Sequence, residues 1–470
     1  MFWNNCALSY ATLTAAAFSA YYRNIAVSGM GIVTGYVKVR AAQVWNRTGP
    51  KANSSPADLK ACEKAQSQRS APFAKENRGR VGNLTGGVTP GRIRPCRSSC
   101  ASSIRGEVEL MNGRQIIRAV LQGQAPERVP WAPCIDPYTR SGLPEPLGSM
   151  DIFELQRYFG SDLYRGGWAS SERFDSAIRH THSEPGNGVV VDAYETPRGS
   201  IREVHTFVPE SPYIPFPTEY LIKSWADLDA YLCLLEHTMV EPDHQRLGEL
   251  INAYPQAMIT TAVTDTPLPA LMTKLIGTEN FVFMHSEDPA RIRRAMDAMQ
   301  ALHRRRVEAA AQGPAEVCIC YENTNTSSFG VRWIEEYELP WLNEYAEILH
   351  AAGKKLLVHM CGHIRLVIEQ IAAARFDGII DVAPPPTGDC DVAAAAAALN
   401  EHGKTLGGGI SCTTFILQDA DRFEREVREL MENVAANPRF MLGSGDAVPK
   451  GATGENLLRA GAIARACRLR

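Results

Sequence analysis

The chain has 470 residues, 45% of them apolar, enough for one large α/β domain with an extension. Its net charge of −3 hides an asymmetry: residues 1–110 carry 15 Lys and Arg against 5 Asp and Glu, which leaves an acidic body. An acidic body argues against nucleic acid as the main partner, and 12 scattered cysteines in a chain this long point to a reduced, cytoplasmic protein.

Residues 1–22 contain no charge, but Asn4, Asn5, Ser9, Thr12 and Thr14 make them a poor membrane span, and they lack a basic leader. Residues 47–106 are rich in Ser, Gly, Asn, Arg and Pro, with no sustained apolar period. Such a segment does not bury enough surface to offset its chain entropy. Residues 1–110 are therefore expected to be a disordered extension, or an upstream translation absent from the working protein, and Met111 is an alternative start.

From Met111 the pattern becomes ordered, with Ile116, Ile117, Val120 and Leu121 at helical spacing. Short apolar runs predict strands over 129–132, 162–165, 258–263, 317–321, 355–359, 378–382, 405–410 and 439–443. Residues 189–208 read as a hairpin inserted after the second unit. Helices fill the later gaps: Pro340 suits a first turn, Trp341, Leu342, Tyr345, Ile348 and Leu349 form one stripe, and Gly353 ends it. Helical patterns over 364–374 and 392–399 follow. Eight strand-helix units over 111–470 predict an α/β (β/α)8 TIM barrel, with a doubly wound sheet as the alternative.

Barrel chemistry gathers at the C-terminal ends of the strands. Those ends supply Glu322 and Asn323, His359 and Cys361, Asp381, Ser411 and Cys412, and Asp446. His359 and Cys361 alternate at the end of a strand, so an imidazole and a thiol can share one face, a donor pair that suits zinc. Cys318 and Cys320 read as strand residues, His363 as lying near the following helix start, and His180 and His182 as solvated loop residues. Gly407, Gly408 and Gly409 lack the lysine of a phosphate loop and are better explained by close backbone approach.

At these residues the chain resembles the uroporphyrinogen decarboxylase superfamily, and within it the cobalamin-dependent branch of methylcobamide:coenzyme M methyltransferases. The resemblance covers 111–470 and rests on Arg128-Val129-Pro130, the segment from Glu195 to Ser200, and the segment from Tyr220 to Ser224. It is completed by His359-Met360-Cys361-Gly362 and by Gly445-Asp446-Ala447-Val448-Pro449 with Glu455-Asn456. It implies a zinc enzyme in which His359 and Cys361 are joined by a third ligand, Asp446 or Cys412. It also implies a methyl donor, methylcobamide, carried by a partner corrinoid protein, since no corrinoid-binding motif stands in this chain. Glu322 and Asn323 are expected to be catalytic, and Asp381 and Cys412 to contact substrate.

Two features depart from the family. The arginine-rich motif that grips substrate carboxylates is replaced by Trp131-Ala132-Pro133-Cys134-Ile135-Asp136, which argues against decarboxylation of a porphyrinogen. The third zinc position carries Asp446 instead of cysteine, and a carboxylate donates less electron density, which widens the substrate from thiols to hydroxyls. The alternatives are a metal-free carboxy-lyase using Arg198, Arg202 and Arg332, or a non-catalytic barrel that binds a tetrapyrrole or corrinoid.

Overall fold

The computed structural model describes residues 110–209 and 211–469. The extension expected over 1–110 thus lies, except for its last residue, outside the described residues. A helix, Gly113–Leu121, leads to β1 (Leu163–Trp168), and β2 (Ser170–Phe174), β3 (Arg179–Gly186), β4 (Val189–Thr196), β5 (Gly199–Val208) and β6 (Ser211–Glu219) follow. After helix Trp225–Glu236 come β7 (Thr238–Pro242), β8 (Met258–Val263) and β9 (Val317–Cys320). The chain then runs through β10 (Lys355–His359), β11 (Gly378–Val382), β12 (Thr405–Ile410) and β13 (Phe440–Ser444).

Seven strands form one curled parallel sheet in the order β1-β8-β9-β10-β11-β12-β13. From β8 onward helices link successive strands, as parallel pairing requires. Every residue of β8, β9, β11, β12 and β13 is buried, because helices cover one face and the strands enclose the other. The stripe predicted on helix Leu339–Ala351 is packed inward through Trp341, Leu342, Tyr345 and Leu349. Gly353 ends that helix at φ +72°, where a side chain would be strained.

The inner face is an apolar layer of Leu163, Met258, Val317, Ile319, Leu357, Ile380 and Met441. Ile117, Val120 and Leu121 of the first helix join it, next to residues at the starts of the strands. Apolar packing therefore fills the N-terminal end of the sheet and leaves the C-terminal end for polar groups. The β12 glycines allow close approach, Gly407 to this layer, Gly408 to the β11 backbone and Gly409 to Leu430 and Val392 of the covering helices. A Cβ at Gly407 would stand 3.1 Å from Ile380 Cγ2, and one at Gly408, with φ +125°, would stand 2.5 Å from Val382 N.

The strand expected over 129–132 is reduced to isolated parallel bridges, Trp131 to Leu442 and Cys134 to Ala447. Pro130 and Pro133 have no N–H to give a ladder. The segment nevertheless spans the two sheet edges. Ala132 N donates to Leu442 O (2.8 Å) on one side, and Asp162 N donates to Trp131 O (2.7 Å) on the other. The Asp162 carboxylate accepts both Arg128 Nη1 and Nη2 and also Trp131 N, which pins this segment to the start of β1. A charge-assisted bond of this kind contributes about 1.5–3 kcal/mol.

The expected hairpin over 189–208 is the inner pair of a larger, four-stranded antiparallel sheet ordered β3-β4-β5-β6. His180 and His182 are accordingly on strand β3 and not in a loop, and both rings lie against Asp192 Oδ1, at 2.7 and 3.0 Å. β3 is exposed along its whole length, so it shows no apolar period by which a strand is recognised. Among the described residues, no helix is long and apolar enough to cross a membrane.

Candidate functional site

Side-chain alternation carries the inner layer upward into polar groups. Leu163 is followed two residues on by Arg165, Ile319 by Tyr321 and Leu357 by His359, so each polar residue rises on the face of its apolar predecessor. Asp381 joins them differently. Its backbone turns left-handed, at φ +63°, and the β11–β12 register shifts between Ile379 and Val382. Aspartate tolerates this conformation better than most residues, and the turn swings its carboxylate to His359.

His359 is buried, with Nδ1 2.7 Å from Asp381 Oδ2. The other oxygen of Asp381 accepts Arg165 Nη2 at 2.6 Å, and the guanidinium lies 5.9 Å from the centre of the Tyr321 ring. Burial pushes the Asp381 carboxyl up, but Arg165 and then His359 outweigh it, and the group is held below the usual carboxylate range. The Asp381 carboxylate thus neutralises Arg165 while it orients the imidazole.

On its other side His359 Nε2 is 3.7 Å from Asp446 Oδ1. Ligand atoms of His359, Cys361 and Asp446 all lie within 4.8 Å of one another, and all three residues are buried. Asp446 follows β13 and is fixed by accepting Ala447 N at 2.7 Å. Burial raises its carboxyl pKa, against the pull of His359. Burial likewise pushes the Cys361 thiol well up, helped by the Asp446 and Asp381 charges. Seven buried side-chain nitrogen or oxygen atoms among the described residues have no hydrogen-bond partner in the protein, and four belong to His359 (Nε2), Arg165 (Nε, Nη1) and Asp136 (Oδ2). Buried polar atoms are normally satisfied, so this concentration makes the group the candidate site.

Cys412 stands outside the three-residue group, its thiol directed at Ala447 O, 3.4 Å away. Asn323, left-handed at φ +58°, donates its backbone N–H to His359 O, and its Oδ1 lies 3.8 Å from Cys361 Sγ. Glu322 turns the other way. It accepts Thr266 N at 2.7 Å and also the Thr266 hydroxyl, and Cys320 Sγ is 3.5 Å away. Cys320 belongs to the packing between sheet and helices, and burial there pushes the Glu322 carboxyl up to about 8.

The arginines expected to line a decarboxylase mouth are paired elsewhere: Arg198 with Glu236, Arg202 with Glu219 and the exposed Arg332 with Glu336. The arginine that reaches the site is Arg165, which sequence reasoning missed. It stands at the end of the predicted strand 162–165, so strand-end position was the signal for it. Asp136, met in the sequence only as the end of the segment that departs from the family, is the other member. It caps the short helix Pro137–Ser141 through Oδ1, its Oδ2 stays unpaired, and burial lifts its carboxyl to about 6.

A family model described as uroporphyrinogen decarboxylase (URO-D) matches residues 250–466. Among solved structures, a methyltransferase from Methanosarcina mazei is similar at 12% identity with a TM-score of 0.50, over 76% of this chain and 98% of that one. A GH5-4 endoglucanase from Bacteroides salanitronis aligns at 10% identity with a TM-score of 0.36, over 78% of this chain and 98% of its own. At 12% identity the Methanosarcina likeness is one of fold. No curated protein sequence matches the chain.

Proposed function

Because a uroporphyrinogen decarboxylase family model matches residues 250–466, we propose that this protein is a zinc-dependent methyltransferase of that superfamily. It moves a methyl group between a corrinoid carried by a partner protein and a small thiol or hydroxyl substrate. In this reading the curled sheet closes as a (β/α)8 barrel, with residues 129–132 in the eighth position.

The observation that carries the reading is the grouping of His359, Cys361 and Asp446 around the unpaired Nε2 of a buried imidazole. One nitrogen, one sulfur and one oxygen donor fit zinc, and three protein ligands suit a catalytic site. Zinc held there supplies the Lewis acidity that ionises a thiol or hydroxyl substrate at neutral pH.

The chain's own residues do the rest. Asp381 accepts the Nδ1 proton of His359, which fixes the tautomer that leaves Nε2 free. Arg165 keeps Asp381 ionised and offers two further N–H groups to a substrate. Asp136, with one free oxygen, is assigned to take the substrate proton; a carboxyl near 6 is well matched to that exchange. Burial of the group excludes bulk water. The free thiols of Cys361 and Cys412 suit a cytoplasmic enzyme. A decarboxylase reading lacks support from Arg198, Arg202 and Arg332, which are engaged by glutamates.

The test is methyl transfer from methylcobalamin to 2-mercaptoethanol, followed through the corrinoid absorbance. Transfer is expected from the parent and not from His359→Ala. Equal turnover by both proteins, unaffected by a chelator, overturns the proposal.

A further inference from the structure

A second cluster of metal-binding side chains lies outside the barrel mouth. Helix Trp225–Glu236 ends at a His C-cap, His237, and its last turn carries Cys233 and Glu236. The spacing i, i+3, i+4 puts the thiol, carboxylate and imidazole on one side of the helix. One ligand atom from each lies within 4.8 Å of the other two. We propose that Cys233, Glu236 and His237 form a second divalent-cation site, of the zinc class, that serves structure.

Four observations support it. Thiolate, imidazole and carboxylate are a donor set that zinc prefers and that magnesium or calcium does not. The Asp175 carboxylate sits 2.8 Å from His237 Nδ1, so a metal bound through Nε2 leaves in place the carboxylate–histidine pair typical of metal ligands. The cluster is at a helix C-terminus, where the carbonyl ends favour a cation. Exposure is graded as a docking ion needs: Cys233 is buried behind, whereas the side chains of His237 and Glu236 are 30% and 54% exposed.

Arg198 is the competing cation, with Nη2 2.9 Å from Glu236 Oε2. Both partners are about half exposed, so this pair is a weak rival, and Glu236 keeps Oε1 for a metal. The location gives the ion its role. His237 O accepts Asp175 N at 3.1 Å, and the next residue, Thr238, pairs with Phe174. A metal here clamps the last turn of the helix, whose C-cap His237 is already hydrogen-bonded to Asp175 beside the β2–β7 ribbon.

The experiment is elemental analysis of the full-length protein, with the zinc content of the parent, His237→Ala, Cys233→Ser and His359→Ala compared. Two equivalents are expected in the parent, and one in each variant. Cobalt loading gives a second readout that does not depend on a stable alanine variant. Cobalt-loaded His359→Ala is expected to keep a thiolate-to-metal absorption band, and Cys233→Ser added to it removes that band. Parental zinc content in both His237→Ala and Cys233→Ser overturns the second site. A failure of the barrel site gives a different pattern: one equivalent in the parent, retained by His359→Ala and lost by His237→Ala.

Discussion

Asp381 holds His359 from behind, with Oδ2 2.7 Å from Nδ1, and its other oxygen is bound to Arg165. Replacing Asp381 by Asn keeps the volume but removes the obligatory acceptor, so the tautomer with hydrogen on Nε2 becomes available. Loss of such a carboxylate typically weakens metal affinity by about 10–100-fold. A competition titration with a zinc chelator checks this for the site at the C-terminal end of the sheet. Unchanged affinity would show that Asp381 does not act through the histidine.

Arg165→Met leaves the Asp381 carboxylate buried with the His359 imidazole as its hydrogen-bond partner and without its cation. Breaking a buried ion pair from one side costs roughly 3–5 kcal/mol. Urea unfolding is expected to show a loss in that range for Arg165→Met and a smaller one for the double variant Arg165→Met/Asp381→Asn, which removes the stranded charge. Equal losses in the two proteins would contradict the pairing.

Glu322 supplies a pH dependence. Its pKa is raised from 4.5 in the unfolded chain to about 8 in the fold, by burial and then by the Asp265 charge. Over that interval the folded state binds more protons than the unfolded state, so stability falls as pH rises from about 4.5 through 8. Glu322→Gln presents an amide to Thr266 in place of the protonated carboxyl. It is expected to keep stability near the parent's at pH 5 and to flatten the decline toward pH 9, as read by denaturant midpoints. A parallel decline in both proteins would remove Glu322 as its source.

Much of the fold was legible because buried parallel strands are short runs of apolar and small residues without charge until their ends. The bounds 258–263, 355–359, 378–382 and 405–410 agree with the structure for that reason. Where chain polarity and strand geometry disagree, the reading failed. The β3 segment Arg179-His180-Thr181-His182 looks like a loop, and segment 129–132 looks like a strand until Pro130 and Pro133 are considered. At the site, His359, Cys361 and Asp446 followed from strand ends and resemblance, and the structure brings the three together. Face was harder to read than position. Glu322 and Asn323 are neighbours, but one bonds to Thr266 on the helix side while the left-handed turn of the other brings it to Cys361.

The β12 glycines give a prediction on stability. Gly408→Ala places a Cβ 2.5 Å from Val382 N at a φ of +125°, and strain at such a position costs about 1–3 kcal/mol before any steric shift. Gly353→Ala meets no atom within 4 Å and is expected to lose only ~1 kcal/mol through its φ of +72°. Thermal unfolding of the two variants checks the order. A Gly408→Ala protein as stable as Gly353→Ala would contradict the close approach of β11 and β12.

The measurement closest to the central claim is zinc content of the full-length protein set against three single variants, His359→Ala, Cys361→Ser and Asp446→Ala. The account predicts that each variant loses one equivalent of zinc relative to the parent, with the fold retained by circular dichroism. Parental zinc content in all three folded variants would contradict it, and the group at the C-terminal end of the sheet would then be a set of packing and hydrogen-bonding residues.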